Sequence, residues 1–360
     1  MPQSLGQDYA SCGDQHTKTM RCAIRRGACD IVFSNNEPVP VPTKGTVRLK
    51  VKAASLNPID FKMPKMSLGR YVGCDVAGVV DEVHPSVKNF SVGDEVYGVA
   101  QFGKSGGIAE YCLCEAKLLG RKPQDLDFAK AAGCVVSYIT SYGALTDKAK
   151  AGMEEGDSVL VIGASGGCGL AGVQLAKALG AKEVVGLCSK ANHDLVMSHG
   201  ATRCVDYGDP EAYAAMLERD RFDVVLDTVT AAEWRALGNK GTNYWPDGRK
   251  MLSRAKKGRR HVSTSGSYGQ WFKTIMGLSG PQKVVFMDLS NVEADLGRIH
   301  TILGGSAYPH IDMQPPLTEA GLKEGLDRIR SRRARGKIVF SMADPPGDSP
   351  PLVTTVSSQG

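Results

Sequence analysis

Two textures of apolar and polar positions divide the chain. From Arg21 to about Tyr138 the apolar positions come in short runs broken by turn residues. Thr46–Val51 (TVRLKV) alternates polar and apolar residues, the pattern of a strand with one buried face. Val76–Val83 (VAGVVDEV) reads as a strand with an internal glycine, the mark of a bulge or a close backbone approach. Val92–Val96 reads as a turn entering a strand, and Ala109–Cys114 as a further strand. Strands at these intervals predict a small β-rich barrel.

Beyond Tyr138 strands alternate with helices. Ser158–Ile162 is a buried strand, Leu170–Leu179 a helix closed by Gly180, and Glu183–Cys188 the next strand. Leu195–His199 then reads as a helix closed by Gly200, followed by strands at Arg203–Asp206 and Phe222–Asp227. This alternation predicts an α/β domain with a doubly wound parallel sheet. Lys337–Phe340 (KIVF) is strand-like again, and Leu322, Leu326 and Ile329 share helical spacing before it. The first twenty residues read as a flexible leader, and Asp344–Gly360, rich in Pro and Ser, as a disordered tail.

Composition narrows the class. A chain of 360 residues, 42% hydrophobic and 23% charged, has apolar material for two cores. The net charge of +6 suits an anionic cofactor and falls short of a dedicated nucleic-acid binder. Basic residues cluster in Arg249–His261 and in Arg328–Lys337 (RIRSRRARGK), each read as a solvated face or, less favourably, as a polyanion contact. RNA binding would require steep salt dependence. The ten cysteines form no CxxC pair, so neither a zinc ribbon nor a thioredoxin-like site is indicated. The expected setting is reducing and intracellular, in cytoplasm or an organelle matrix or stroma. No apolar run approaches the ~18 residues of a membrane span. The sequon at Asn89 is read as chance.

Ser158–Gly169 (SVLVIGASGGCG) carries the strongest chemical signal. Gly163, Gly166 and Gly169 fall between a strand and a helix, where glycine lets the backbone turn sharply and approach a pyrophosphate. Ala164 lies within the loop, Ser165 adds a hydroxyl and Gly167 a further permissive position. A tight β–α turn without ligand is the less favoured alternative. The next strand selects the cofactor: NAD enzymes place an acid there for the ribose hydroxyls. This strand ends in Cys188-Ser189-Lys190, and the first acid after it is Asp194. Ser189 and Lys190 therefore favour NADPH through its 2′-phosphate, although Lys190 also fits an exposed helix start. Tyr207 is placed to meet the adenosine end.

With these motifs in view, the chain resembles the zinc-free, quinone oxidoreductase-like branch of the medium-chain dehydrogenase/reductase superfamily. The resemblance rests on Ala53–Lys62 (AASLNPIDFK), Gly73–Val83 (GCDVAGVVDEV), Phe90–Gly98 (FSVGDEVYG), Gly107–Tyr111 (GIAEY), Leu160–Ala181 and Gly336–Phe340. Within the branch it is most similar to chloroplast-envelope quinone oxidoreductase homologues and reticulon-interacting mitochondrial oxidoreductases. It implies a GroES-like catalytic domain over residues 21–138 and a Rossmann NADPH-binding domain over 139–309. Residues 310–343 would return to the first domain, with the leader at 1–20 and the tail at 344–360.

The resemblance further implies a cleft between the lobes. Asn57 is the leading polarising or orienting residue there, Asp60 braces its loop, and Lys62 reaches cofactor or solvent. Tyr71 is a proton donor or a packing residue. Thr140 and the loop Ser265-Gly266-Ser267 are expected at the cofactor. Zinc-dependent relatives carry Cys in the place of Asn57 and His-Glu in the place of Cys74-Asp75, so no metal is expected, even with Cys134 nearby. Without a Lewis acid the implied reaction is hydride transfer to a quinone or an α,β-unsaturated carbonyl, not alcohol oxidation. Relatives are often homodimers, an expectation by analogy. The alternative is a catalytically weak NADPH-binding regulatory or scaffold protein of the same fold. Two stretches depart from the family: the compressed approach MPKMSLGRYVGCD and the long, basic segment 236–260.

Overall fold

The computed structural model describes residues 18–27, 30–62, 69–147, 150–230, 243–253, 260–266, 268–285, 287–304 and 308–342. The expected tail, all of the leader before Lys18, residues 63–68 of the first departing stretch and residues 236–242 and 254–259 of the second lie outside the described residues, as does Ser267.

The first sheet forms from alternating residues, as the pattern predicts. β1 (Thr19–Arg25) and β2 (Ile31–Pro38) make an antiparallel ribbon. β3 runs from Thr46 to Leu56, past the expected end at Val51, and leads into the short helix α1 (Ile59–Lys62). β4 (Asp75–Val83), β5 (Glu95–Val99), β6 (Tyr111–Glu115) and β7 (Leu119–Arg121) complete the N-terminal strands. β3 is the hub, paired to both β4 and β6. The internal glycine of β4 does mark a close approach: a Cβ on Gly78 would lie 2.4 Å from the carbonyl oxygen of Lys50 on β3.

One part of this region departs from the strand reading. Phe128–Thr146 is a nineteen-residue helix, α2, and the expected domain boundary at 138/139 falls inside it. Its N-cap is Asp127, whose carboxylate accepts from the N–H of Lys130. The centre, AAGCVVSYI, is apolar on nearly every side, because α2 packs against the barrel strands and against the second lobe. A helix buried all round shows no polar stripe, so its 3.6-residue period is muted.

The second sheet is parallel and six-stranded. β8 (Ser158–Ile162), β9 (Glu183–Cys188), β10 (Arg203–Asp206), β11 (Val224–Asp227), β12 (Arg260–Ser263) and β13 (Gln282–Val284) stand in the order β10-β9-β8-β11-β12-β13. Numbered from β8 as one, this is 3-2-1-4-5-6, with the switch point between β8 and β11. The helix after β8 is α3 (Gly167–Ala178). Gly180 and Gly200 both close turns with positive φ, as expected of helix-ending glycines.

After α3 the helices in order are α4 (His193–Ser198), α5 (Pro210–Arg219), α6 (Trp245–Met251), α7 (Tyr268–Ile275) and α8 (Val292–Leu303). The chain then returns to the first sheet through β14 (Ile311–Met313), α9 (Glu319–Arg330) and β15 (Lys337–Ser341). β15 lies antiparallel to β3, with Ile338 opposite Leu56. Leu322 and Leu326 of α9 are buried, whereas Arg328 pairs with Asp312 and Arg330 lies over the ring of Phe61. No helix among the described residues is long and apolar enough to cross a membrane.

Candidate active site

The glycine loop sits at the carboxyl end of β8, at the switch point of the sheet. Gly163 has φ +76°, and a Cβ there would lie 2.3 Å from Val229 Cγ2. Gly169 brings helix and strand together: its Cβ would meet the Gly163 carbonyl oxygen at 2.0 Å. Gly166 is the N-cap of α3 and has no side chain to cap it. The N–H groups of the first turn, from Gly167 onward, therefore have no intrahelical partner and suit an anion. Ala164 is buried in the loop, and the Ser165 hydroxyl accepts from Asn192 Nδ2 at 3.0 Å.

The other residues expected at the cofactor ring the same sheet edge. Ser189 and Lys190 follow β9, Tyr207 follows β10, and Ser265 and Gly266 follow β12, all at carboxyl ends of parallel strands. Lys190 and Tyr207 are exposed, while Ser189 is held by Asn192 Nδ2 at 3.1 Å. Thr140 lies on the buried side of α2, next to Ser141, whose hydroxyl donates to the Cys168 carbonyl at 2.8 Å. That bond ties α2 to the start of α3.

Asn57 ends β3 and faces this loop through an intermediary absent from the sequence reading. The Lys337 ammonium donates to Asn57 Oδ1 at 2.6 Å, to Asp75 Oδ2 at 3.2 Å and to the Leu56 carbonyl at 3.2 Å. Asn57 Nδ2 donates to Asp75 Oδ2 at 3.0 Å. The Asp75 carboxylate also accepts from Ser55 Oγ at 2.6 Å and from the N–H of Val136 on α2 at 3.1 Å. Lys337, Asp75 and Asn57 are all buried. An ammonium only donates and a carboxylate only accepts, so the amide has one orientation: oxygen toward Lys337, nitrogen toward Asp75.

The Lys337 backbone is tied to the glycine loop as well. Gly336 N–H donates to the Ser165 carbonyl at 2.9 Å, and Gly336 bridges to Gly166. The Lys337 stem crosses Gly167, where a Cβ would meet Lys337 Cδ at 2.9 Å. A side chain at 167 would therefore crowd the lysine stem. Composition and local spacing gave no signal for Lys337; a lysine opening the strand KIVF was the one hint.

Asp60 lies behind this network. Its Oδ2 accepts from the Asn57 backbone N–H at 2.8 Å, and the Cys74 thiol donates to its Oδ1 at 3.4 Å. Burial, with the nearby Asp75 carboxylate, pushes Asp60 up to about 6 despite the Asn57 N–H. Burial, with Asp60 beside it, also raises the Cys74 thiol well above its usual range. Arg25 is wholly buried and donates to the carbonyls of Asp60 and Gly69. Tyr71 is turned to another partner: its hydroxyl bonds the Glu37 carboxylate at 3.2 Å, which Arg70 also holds. Of the three expected catalytic residues, Asn57 and Asp60 share one network and Tyr71 stands outside it.

Among the described residues no three His, Cys, Asp or Glu side chains converge as a metal set. Of the donors considered for zinc, Cys74 is committed to Asp60, the Cys134 thiol donates to the Ala131 carbonyl, and Asp75 holds an ammonium.

Known proteins match the chain in both lobes. The alcohol dehydrogenase GroES-like domain family matches residues 43–124, and the zinc-binding dehydrogenase family matches residues 167–237. The chain is 32% identical over 336 residues to the 2-methylene-furan-3-one reductase of Solanum lycopersicum, covering 87% of this chain and 76% of that one. It is 39% identical over 188 residues to the chloroplast envelope quinone oxidoreductase homolog of Arabidopsis thaliana, covering 49% of this chain and 57% of that one. Among solved structures, mycobacterial Rv1454c complexed with NADPH superposes with a TM-score of 0.68 at 21% identity, covering 90% of this chain and 100% of that one. That likeness establishes a shared fold.

Proposed function

From the premise that the chain belongs to the zinc-free, quinone oxidoreductase-like branch of the medium-chain dehydrogenase/reductase superfamily, we propose an NADPH-dependent reductase of quinones or α,β-unsaturated carbonyls. The observation that carries this reading is the Asn57 amide, held between Lys337 and Asp75 beside the glycine loop.

Each part of the cleft has work to do. The α3 N-terminus and Gly163–Gly169 would hold a pyrophosphate, with Ser189 and Lys190 on a 2′-phosphate. No acid precedes Asp194 along the chain after β9, which leaves Ser189 and Lys190 to meet that phosphate. Bound there, the nicotinamide supplies the hydride. When hydride adds to the β-carbon of an enone, an electron pair moves onto the carbonyl oxygen. An amide N–H of Asn57 is the donor we assign to that oxygen, and water then protonates the α-carbon. Asp60 braces the loop from behind through the Asn57 backbone. We assign no proton transfer to Tyr71, because its hydroxyl is engaged by Glu37.

The name of the second matching family mentions zinc, but the donors present do not fit that ion. Zinc takes thiolate, imidazole or carboxylate ligands. Here a thiol kept protonated, an amide and a carboxylate already bound to an ammonium stand in their place.

We further propose that residues 310–343 belong with the barrel lobe, and that the protein forms a homodimer. β13 is an outer strand of its sheet, and the adjoining α7 turn exposes Phe272, Ile275, Met276 and Leu278.

The deciding experiment follows NADPH consumption with a panel of quinones and 2-alkenals. We expect steady oxidation with at least one class. Tight NADPH binding with no acceptor consumed overturns the reductase reading and leaves the regulatory one.

A further inference from the structure

The Asn57 amide has two N–H bonds. One goes to Asp75, and the other has no partner among the described residues. Its orientation depends on a lysine contributed from the far end of the chain.

We infer that Lys337 is a positioning residue: its ammonium locks the Asn57 amide with oxygen inward, so that the second N–H is the donor offered to the acceptor's oxygen. This rests on the reductase reading and adds a residue to it. Three observations carry it. The 2.6 Å contact to Oδ1 is short and charge-assisted, which polarises the amide and strengthens its N–H groups as donors. Asp75 supplies the complementary acceptor, so rotating the amide would set its nitrogen against the ammonium and its oxygen against the carboxylate. The Lys337 stem lies over Gly167 and its neighbour Gly336 is bonded to Ser165, so the lysine is held by the loop expected to bind the cofactor. One side chain therefore spans from the phosphate cradle to the reacting end of the cleft. The Lys337 ammonium is committed to Asn57 Oδ1, Asp75 Oδ2 and the Leu56 carbonyl, so it acts through Asn57 without touching the acceptor.

The test uses Lys337→Met, which keeps the stem and removes the charge. Asp75 would be left without its cation, so Lys337→Met/Asp75→Asn is made alongside to remove both charges and preserve folding. In either variant we expect kcat to fall roughly a hundredfold while the NADPH dissociation constant changes by no more than about twofold. Asn57→Ala should cause a similar loss, and combining it with Lys337→Met should add little.

A readout without turnover is the ¹H–¹⁵N side-chain amide signal of Asn57, assigned by its disappearance in Asn57→Ala. It should be displaced and slow to exchange in the wild type, and should relax toward an ordinary amide when the ammonium is removed. Unchanged Asn57 signals in both lysine variants, or losses that multiply in the combined variant, would overturn the inference. A wild-type protein that consumes no acceptor overturns the reductase reading instead, and the amide signal still decides the role of Lys337.

Discussion

The ammonium of Lys337 stands 2.6 Å from the side-chain oxygen of Asn57, although 280 positions separate the two residues in the chain. The contact forms because β15 returns to pair with β3, placing Ile338 opposite Leu56. The C-terminal return thus supplies the candidate site with a charge as well as completing a sheet. A chain ending before β15 would leave Asp75 buried without its cation, a situation that costs several kcal/mol.

The proposed NADPH preference can be tested at the end of β9. Lys190→Glu replaces an exposed ammonium by a carboxylate beside Ser189. NADPH should bind roughly tenfold to a hundredfold more weakly, the loss of one charge-assisted contact plus repulsion. NADH should change by only about twofold, since it lacks the 2′-phosphate. Titrating both cofactors by fluorescence checks this, and equal losses would remove the 2′-phosphate assignment.

Gly169 has no room for a methyl group. A Cβ there would lie 2.0 Å from the Gly163 carbonyl oxygen and 2.8 Å from the backbone of Ala164. Gly169→Ala must push α3 away from β8, at a cost of about 1–3 kcal/mol. Thermal melts should fall by roughly 2–4 °C for each kcal/mol. Cofactor affinity should fall as well if the displaced helix carries the N–H groups proposed to face the phosphate. Gly166→Ala serves as the comparison, since its Cβ would meet nothing closer than 3.6 Å.

Asp60 gives the protein a predictable pH response. Burial holds its folded pKa up to about 6, above the value of an exposed aspartate. Between those two values the folded protein carries more protons at this site than the unfolded chain. Stability from this group is therefore greatest below the unfolded pKa and falls as pH rises to about 6. Asp60→Asn keeps an oxygen for the Asn57 N–H without the charge. The melting temperature of the variant relative to wild type should rise between about pH 4 and pH 7. A gap constant over that range would show that Asp60 does not titrate there.

The apolar end of α7 and the turn after it predict the state of association. Phe272, Ile275, Met276 and Leu278 are 61%, 77%, 57% and 69% exposed within seven positions. Sedimentation should report a dimer at micromolar concentration, and Ile275→Glu with Leu278→Glu should convert it to a monomer. A wild-type monomer under those conditions removes the dimer proposal.

Much of the fold was legible because its signals are local. β8, β9 and β10 lie where the apolar runs place them, and Gly163, Gly180 and Gly200 take the positive φ that only glycine adopts easily. α2 was not legible: a helix packed on all sides displays no amphipathic stripe. Tyr71 looked available for chemistry, yet its hydroxyl found Glu37, a partner 34 residues away on β2. The importance of Asn57 came through the resemblance to a family, not through any property of its neighbours.

The sequence by itself determined the glycine loop between β8 and α3 and the parallel sheet around it, and it supplied the Ser189-Lys190 reading that the cofactor titration tests. Those depend on backbone conformation and charge within a few dozen residues. Only the tertiary structure decided what holds Asn57, because an amide is oriented by whichever donor and acceptor reach it. Asp75 reaches it from β4 and Lys337 from β15, 18 and 280 positions away. No local pattern encodes a pairing that exists only once both strands have found β3.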